Sequence, residues 1–239
     1  MKTIKLLELH PQDLIKRVAK KPLIIVPIGT VEWHAAHLPL GTDNLLAQAI
    51  CDDLSARTGC VVAPLLPCGI CRDLQPERGF AGTVDTIREQ TLSGLITDLL
   101  QGYAKMGFKK AAVFSGHFEQ EHFSAISTGI SNASSIEGFF LTVFDFLQDV
   151  VQELDDVTKS WPYAGDHAAE FEASLMLAYF PQLVQMDKAP ETIELDMPGL
   201  PDYIRKRYPR RASLAYGEKL RRAIIRGGVK RINELLEAV

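Results

Sequence analysis

Three short stretches of this chain concentrate carboxylate and imidazole donors. In VEWHAAHLPLGTDN, residues 31–44, Glu32 and His34 are two apart, so an extended backbone points both to the same side. Asp43 follows nine residues after His34, and His37 is a further imidazole at an odd spacing. In SGHFEQEH, residues 115–122, His117 and Glu119 repeat the spacing of two, and Gly116 permits a sharp turn before them. In GDHAAEFEAS, residues 165–174, His167 and Glu170 are three apart, which a helix places on one face, while Glu172 points elsewhere. Oxygen and imidazole donors without thiolate suit borderline divalent ions such as zinc or manganese. Each cluster also has a structural reading when taken singly. Asp43 can cap a helix beside a solvated Glu-x-His, Glu119 can cap another, and the acids at 170 and 172 suit a helix amino terminus capped by Asp166. Three such clusters in one chain favour chemistry over coincidence.

The elements that must position these donors alternate between short β-rich and longer helical runs. Strands are expected at Leu23–Gly29, Cys60–Leu66, Lys109–Ser115 and Gly138–Phe144. Helices are expected at Asn44–Arg57, Thr86–Met106, from about Gln120, at His167–Phe180 and over Ala212–Ala238, the last with a break at Gly227–Gly228. Residues 187–210, rich in Pro, Gly and charge, read as a long surface loop. This alternation implies an α/β fold, a three-layer α/β/α sandwich around a mostly parallel sheet, with residues 1–239 as a single domain. In such sheets, sites gather beyond the carboxyl ends of strands. The first two clusters follow expected strands directly, and the third opens an expected helix.

Composition removes several function classes. The 239 residues, 46% hydrophobic and 23% charged, suit one soluble domain able to bury a large core. The net charge of −4 argues against nucleic-acid binding by the whole chain. Between Arg205 and Arg231, 11 Lys and Arg face one Glu; a solvated or intersubunit face is the favoured reading, with nucleic-acid binding as its rival. The amino terminus is broken by charges and Pro11 and lacks a signal-peptide core, and no apolar run suits a membrane span, so a cytoplasmic location is expected. Cys68 and Cys71 form a lone C-x-x-C, too little for a zinc site, and read as structural or incidental, with redox chemistry the alternative.

The three clusters in this order resemble the creatininase family. Its first motif, E-x-H-G-x-H-L-P-L-x-T-D, corresponds to residues 32–43. Its second, G-H followed by aromatic-Glu, corresponds to Gly116–Glu119. Its third, H-A-x-x-x-E-T-S, corresponds to His167–Ser174, and its A-S-x-x-x-G-E-K-L to Ala212–Leu220. The resemblance implies a metal-dependent hydrolase acting on a C–N bond of a small amide, with two divalent ions, zinc and/or manganese. Glu32 and His117 would hold one ion, His34 and Glu119 the other, and Asp43 would bridge them. Water activated by the metals, with a pKa near roughly 7 on catalytic zinc, would attack. His167 would donate the proton to the leaving nitrogen, Glu170 or Glu172 would orient it, and Phe118 and His37 would line the substrate pocket. A homo-oligomer, a hexamer, is implied, with Met197, Leu200 and Tyr203 in the 187–210 loop available for contact. The family pattern is not kept everywhere. Ala35 stands for Gly, Ala173 for Thr, Phe118 for Tyr, and the pocket-wall segment PCGICRDLQPERGFAGT is unusual. Creatinine itself is therefore not the expected substrate. A cyclic amide or formamide, with Arg72, Arg78 and the arginines of 205–231 available to a phosphate, is expected instead. The rival readings are a non-catalytic small-molecule-binding protein on the same scaffold and a member acting on a non-amide such as a keto-inositol.

Overall fold

The computed structural model describes residues 2–72, 74–84, 87–147, 167–194 and 206–238. The apolar run Leu23–Ile28 forms β2, all six residues buried, as a strand covered on both faces requires. It sits centrally in a five-stranded sheet of order β1-β3-β2-β4-β5, with β1 at Ile4–Lys5, β3 at Val61–Val62, β4 at Lys110–Ser115 and β5 at Glu137–Thr142. Every pair is parallel.

Alternation along the strands builds two cores. Leu23, Ile25, Val62, Ala112, Phe114 and Leu141 point to one face. There they meet α2 (Thr42–Thr58), α5 (Val143–Leu147), α6 (Glu170–Tyr179) and α7 (Leu214–Glu237). Ile24, Val26, Ile28, Val61, Ala111 and Val113 point to the other face, against α1 (Pro11–Lys20), α3 (Glu89–Lys105) and α4 (Gln120–Asn132). The result is the expected three-layer α/β/α arrangement. Each fully buried Ile, Leu or Phe contributes about 1.5–3 kcal/mol.

Several elements depart from the sequence expectation for local reasons. The strand expected at Cys60–Leu66 pairs only over Val61–Val62 and again through a single bridge from Leu66 to Ile28. Pro64, between them, has no N–H for the ladder. The fourth strand stops at Thr142, where the Asp145 carboxylate accepts from both the Thr142 N–H and its hydroxyl and starts α5. Pro11 occupies the first position of α1, where its missing N–H costs nothing.

The last helix runs unbroken through Gly227–Gly228. A Cβ on Gly227 would collide with the Phe146 carbonyl, and one on Gly228 with Leu54, so these glycines serve close packing on α5 and α2. Within 187–210, β6 (Ile193–Glu194) and β7 (Lys206–Arg207) pair antiparallel. Met197, Leu200, Tyr203 and Asp166 lie outside the described residues.

Candidate metal centre

The donors meet where the loops after β2 and β4 face the starts of α2 and α6. The Glu32 N–H donates to Leu40 O at 3.0 Å, closing the loop that carries Glu32 and His34. Ala35 in this loop has φ 56°, the left-handed region glycine takes freely. Asp43 lies in the first turn of α2 without capping it. His117 follows β4 by two residues. A Cβ on Gly116 would run into the Asp43 carbonyl, so glycine there lets the two segments touch. The third segment is not helical at His167. Ala168 has φ 53°, and α6 begins only at Glu170, so His167 sits in a turn before it.

Six side chains converge. One oxygen of Asp43 is 3.2 Å from His34 Nε2, and its other oxygen is 3.2 Å from His117 Nδ1. Glu32 Oε1 lies 3.2 Å from His117 Nδ1 and 3.4 Å from His167 Nδ1. Glu172 Oε2 lies 3.6 Å from His34 Nε2 and accepts from the Ala168 N–H at 2.6 Å. Three donor sets each fit within 4.8 Å: Glu32–Asp43–His117, His34–Asp43–Glu172 and Glu32–His34–His167.

Backbone carbonyls select the imidazole tautomers. His34 Nδ1–H donates to Glu32 O at 3.1 Å, His117 Nε2–H to Ile70 O at 2.8 Å, and His167 Nε2–H to Trp33 O at 2.6 Å. Each remaining nitrogen faces carboxylates, donating to them when the ring is protonated and free to offer a lone pair to a cation when it is not. Ligating histidines are held in this way, with the second ring N–H on a carbonyl.

Burial opposes charge on His34, yet the carboxylates of Asp43, Glu172 and Glu32 override it and pull its pKa up to about 10. Burial likewise opposes charge on His117, and Glu32 and Asp43 raise its pKa well above the ordinary value. Asp43 is held far below the usual carboxylate range: burial works against this, and the two imidazoles outweigh it. His167 is pushed down to about 4, first by burial and then by His34.

Two buried carboxylates, Glu32 and Asp43, and the partly buried Glu172 line the cavity. Glu32 Oε2, His34 Nε2 and Asp43 Oδ2 have no hydrogen-bond partner among the described residues. Orphaned buried donors of these types fit divalent cations, with Asp43 reaching two subsites through its two oxygens.

A model of the creatininase family, described as creatinine amidohydrolase, matches residues 8–231. The chain belongs to the creatininase family. It is 31% identical over 180 residues to the creatinine amidohydrolase of Pseudomonas putida, covering 70% of this chain and 67% of that protein. It is 24% identical over 187 residues to the 3-dehydro-scyllo-inosose hydrolase of Thermotoga maritima, covering 76% of this chain and 58% of that one. A solved tryptophan-mutant creatininase, 25% identical, superposes with a TM-score of 0.84 over 99% of this chain and all of its own. Solved neighbours at 24% identity include a manganese form and a mutant of zinc–zinc type. The chain is thus a member of a family of metal-dependent amidohydrolases.

The remaining family positions fall around the cluster. Glu119 precedes α4 without capping it, and both its oxygens accept from the Arg72 N–H, at 2.8 and 2.6 Å. It is not in the three donor sets; Glu172 is. Glu170 opens α6, half-buried, with its pKa raised by burial against the pull of Arg211. His37 is 1% exposed, as enclosed as the cluster itself, and its pKa is pushed down to about 4, first by burial and then by His34. Phe118 is half-buried and packs edge-on to Phe123 at 5.7 Å.

Three neighbours were not assigned to the site from sequence. Trp33 stacks beside His167 at 6.1 Å and meets Phe80 edge-on at 5.0 Å. Cys71 is buried beside Glu32, which, after burial itself, raises its thiol pKa. His122 packs on His117 at 5.0 Å. Of these, Cys71 stood out only as half of the C-x-x-C, and His122 closes the second cluster, five residues after His117.

Proposed function

We propose that this chain binds two divalent ions, zinc and/or manganese, and uses them to hydrolyse a C–N bond in a small cyclic amide or formamide. The observation that carries the reading is Asp43, whose two oxygens each stand 3.2 Å from an imidazole nitrogen, each ring being held by a backbone carbonyl on its other nitrogen. Glu32, Asp43 and His117 would hold one ion, and His34, Asp43 and Glu172 the other. Bound there, the ions would supply Lewis-acid polarisation of a carbonyl and a hydrolytic nucleophile at neutral pH.

The rest falls to the protein's own groups. His167 keeps Nε2–H on the Trp33 carbonyl and presents Nδ1 to the cluster. Nδ1 can accept a proton from the attacking water and return it to the departing nitrogen. Glu172, through the Ala168 N–H, holds the turn that aims His167. Trp33 and Phe80 form an aromatic wall against which a planar amide can lie, and Glu119 fixes the Arg72 end of the opposite segment. The changed segment 67–83 is expected to disfavour creatinine, because a wall with different polar groups leaves those of the old substrate unpaired.

Elemental analysis of protein purified without chelator tests the metal reading. Two equivalents are expected, and less than about half an equivalent, with no uptake of added zinc or manganese, sinks it. A kcat/KM panel of creatinine, cyclic amides, formamide-bearing nucleotide intermediates and their dephosphorylated forms tests the substrate reading; creatinine as the best substrate overturns it. We extend the reading to a cytoplasmic homo-oligomer, a hexamer. Among the described residues no helix is long and apolar enough to cross a membrane. A 26.5 kDa monomer by light scattering at micromolar concentration would refute the assembly.

A further inference from the structure

His122, on the first turn of α4, is fully buried and lies outside the donor sets. Its Nδ1 is 3.4 Å from the Ile70 N–H, which can only donate, so Nδ1 accepts and the proton resides on Nε2. Nε2–H then donates to Ser115 Oγ at 3.1 Å. Ser115 Oγ also accepts from the His117 N–H at 3.1 Å and donates to His117 O at 2.8 Å. His117 Nε2–H in turn donates to Ile70 O at 2.8 Å. The four residues close a ring of hydrogen bonds: Ile70 to His122, His122 to Ser115, Ser115 to His117 and His117 back to Ile70.

We propose that His122 is a positioning residue: through Ser115 and the backbone of Ile70 it locks the orientation and tautomer of His117, and so tunes metal affinity at the Glu32–Asp43–His117 subsite and not at the other. Without His122 the Ile70 N–H loses its acceptor, and residue 70 loses one of the bonds that hold it in place. Its carbonyl, in the next peptide unit across Cα, accepts from His117 Nε2–H and shifts when the residue does. His34 owes its tautomer to the Glu32 carbonyl instead, so its subsite is insulated. The aromatic packing of His122 on His117 does not by itself demand imidazole, since a phenyl ring would fill the same space; the two polar bonds do. The proposal rests on the metal reading above.

The experiment is metal titration of the full chain against a competing chelator, read as two dissociation constants, beside far-UV circular dichroism of each variant. His122→Phe keeps the ring and removes both bonds; it is expected to weaken one of the two affinities about 10–100-fold, the usual effect of losing a partner behind a ligand. The other affinity is expected to stay within about threefold. His122→Gln, which can both accept and donate, should recover most of the loss, a recovery that a packing role would not give. Should His122→Phe not fold, Ser115→Ala cuts the same ring at another link and is expected to weaken the same single affinity. Wild-type affinities in the folded variant, equal loss at both subsites, or no recovery with Gln overturns the proposal. Wild-type protein that takes up no metal overturns instead the reading on which it stands.

Discussion

Glu172→Gln separates the arrangement of donors in the structure from the one suggested by motif resemblance. The Glu172 side chain is 13% exposed, and its Oε2 lies with His34 and Asp43 within 4.8 Å. The substitution preserves shape, and its amide oxygen can still accept from the Ala168 N–H, so the turn bearing His167 is kept. What it removes is one negative charge and one anionic donor from the second subsite. Losing one partner of a buried charged group costs about 3–5 kcal/mol. At roughly 1.4 kcal/mol per decade, that weakens one ion about a hundred- to a few-thousand-fold. Equilibrium dialysis against buffered zinc, followed by elemental analysis, should give one tight equivalent where the wild type has two. Glu119→Gln is the comparator. Its carboxylate receives the Arg72 N–H, a bond that an amide oxygen can also accept, so that variant should keep two ions and leave the 69–72 segment in place. Two tight ions in Glu172→Gln, together with one in Glu119→Gln, would refute the reasoning and place Glu119 in the second subsite.

Other outcomes follow from the same geometry. His167→Ala should retain both ions and lower kcat/KM about 10²–10⁴-fold, the usual contribution of a general acid or base; loss of metal with activity would make His167 a ligand. Gly227→Ala should destabilise the fold by about 1–3 kcal/mol, because the added methyl meets the backbone carbonyl of Phe146 and cannot be relieved by a side-chain rotation; thermal melts of the chelated protein would read this as a loss of several degrees, and an unchanged melt would contradict it. A thiol reagent should modify at most one cysteine of the native protein, half-buried Cys68, and all four in denaturant. Cys51, Cys60 and Cys71 are buried, and burial raises every one of these thiols above its ordinary pKa.

The donors were legible because their types and spacings are local facts. Strand ends bring Glu32, His34 and His117 to one edge of a parallel sheet, and a helix start brings Asp43. Which carboxylate faces His34 beside Asp43 was not legible, because it depends on where α6 begins. The left-handed Ala168 delays that helix to Glu170 and turns His167 and Glu172 toward the same cavity. No sequence period announces a left-handed alanine. Gly227–Gly228 read as a helix break for a related reason: local propensity sees two weak helix formers, while the deciding fact is the approach of a neighbouring carbonyl.

The spacing of two that marked both Glu-x-His and His-x-Glu has a deeper use in only one of them. In the first, the Glu32 carbonyl lies where His34 can donate Nδ1–H back to it, so three consecutive residues supply two donors and fix a tautomer. His117 has no such neighbour: the residue two before it is Ser115, whose hydroxyl is engaged with the His117 backbone. Its tautomer must be fixed from a distance, and Ile70 does so from the segment 67–83. That segment also holds Glu119 through Arg72 and brings Cys71 beside Glu32. A change in its sequence therefore acts on the metal donors as well as on the substrate wall. Substrate preference and metal affinity should shift together when residues 69–72 are replaced, whereas replacements at Phe80, which touches Trp33, should move KM and leave metal content unchanged.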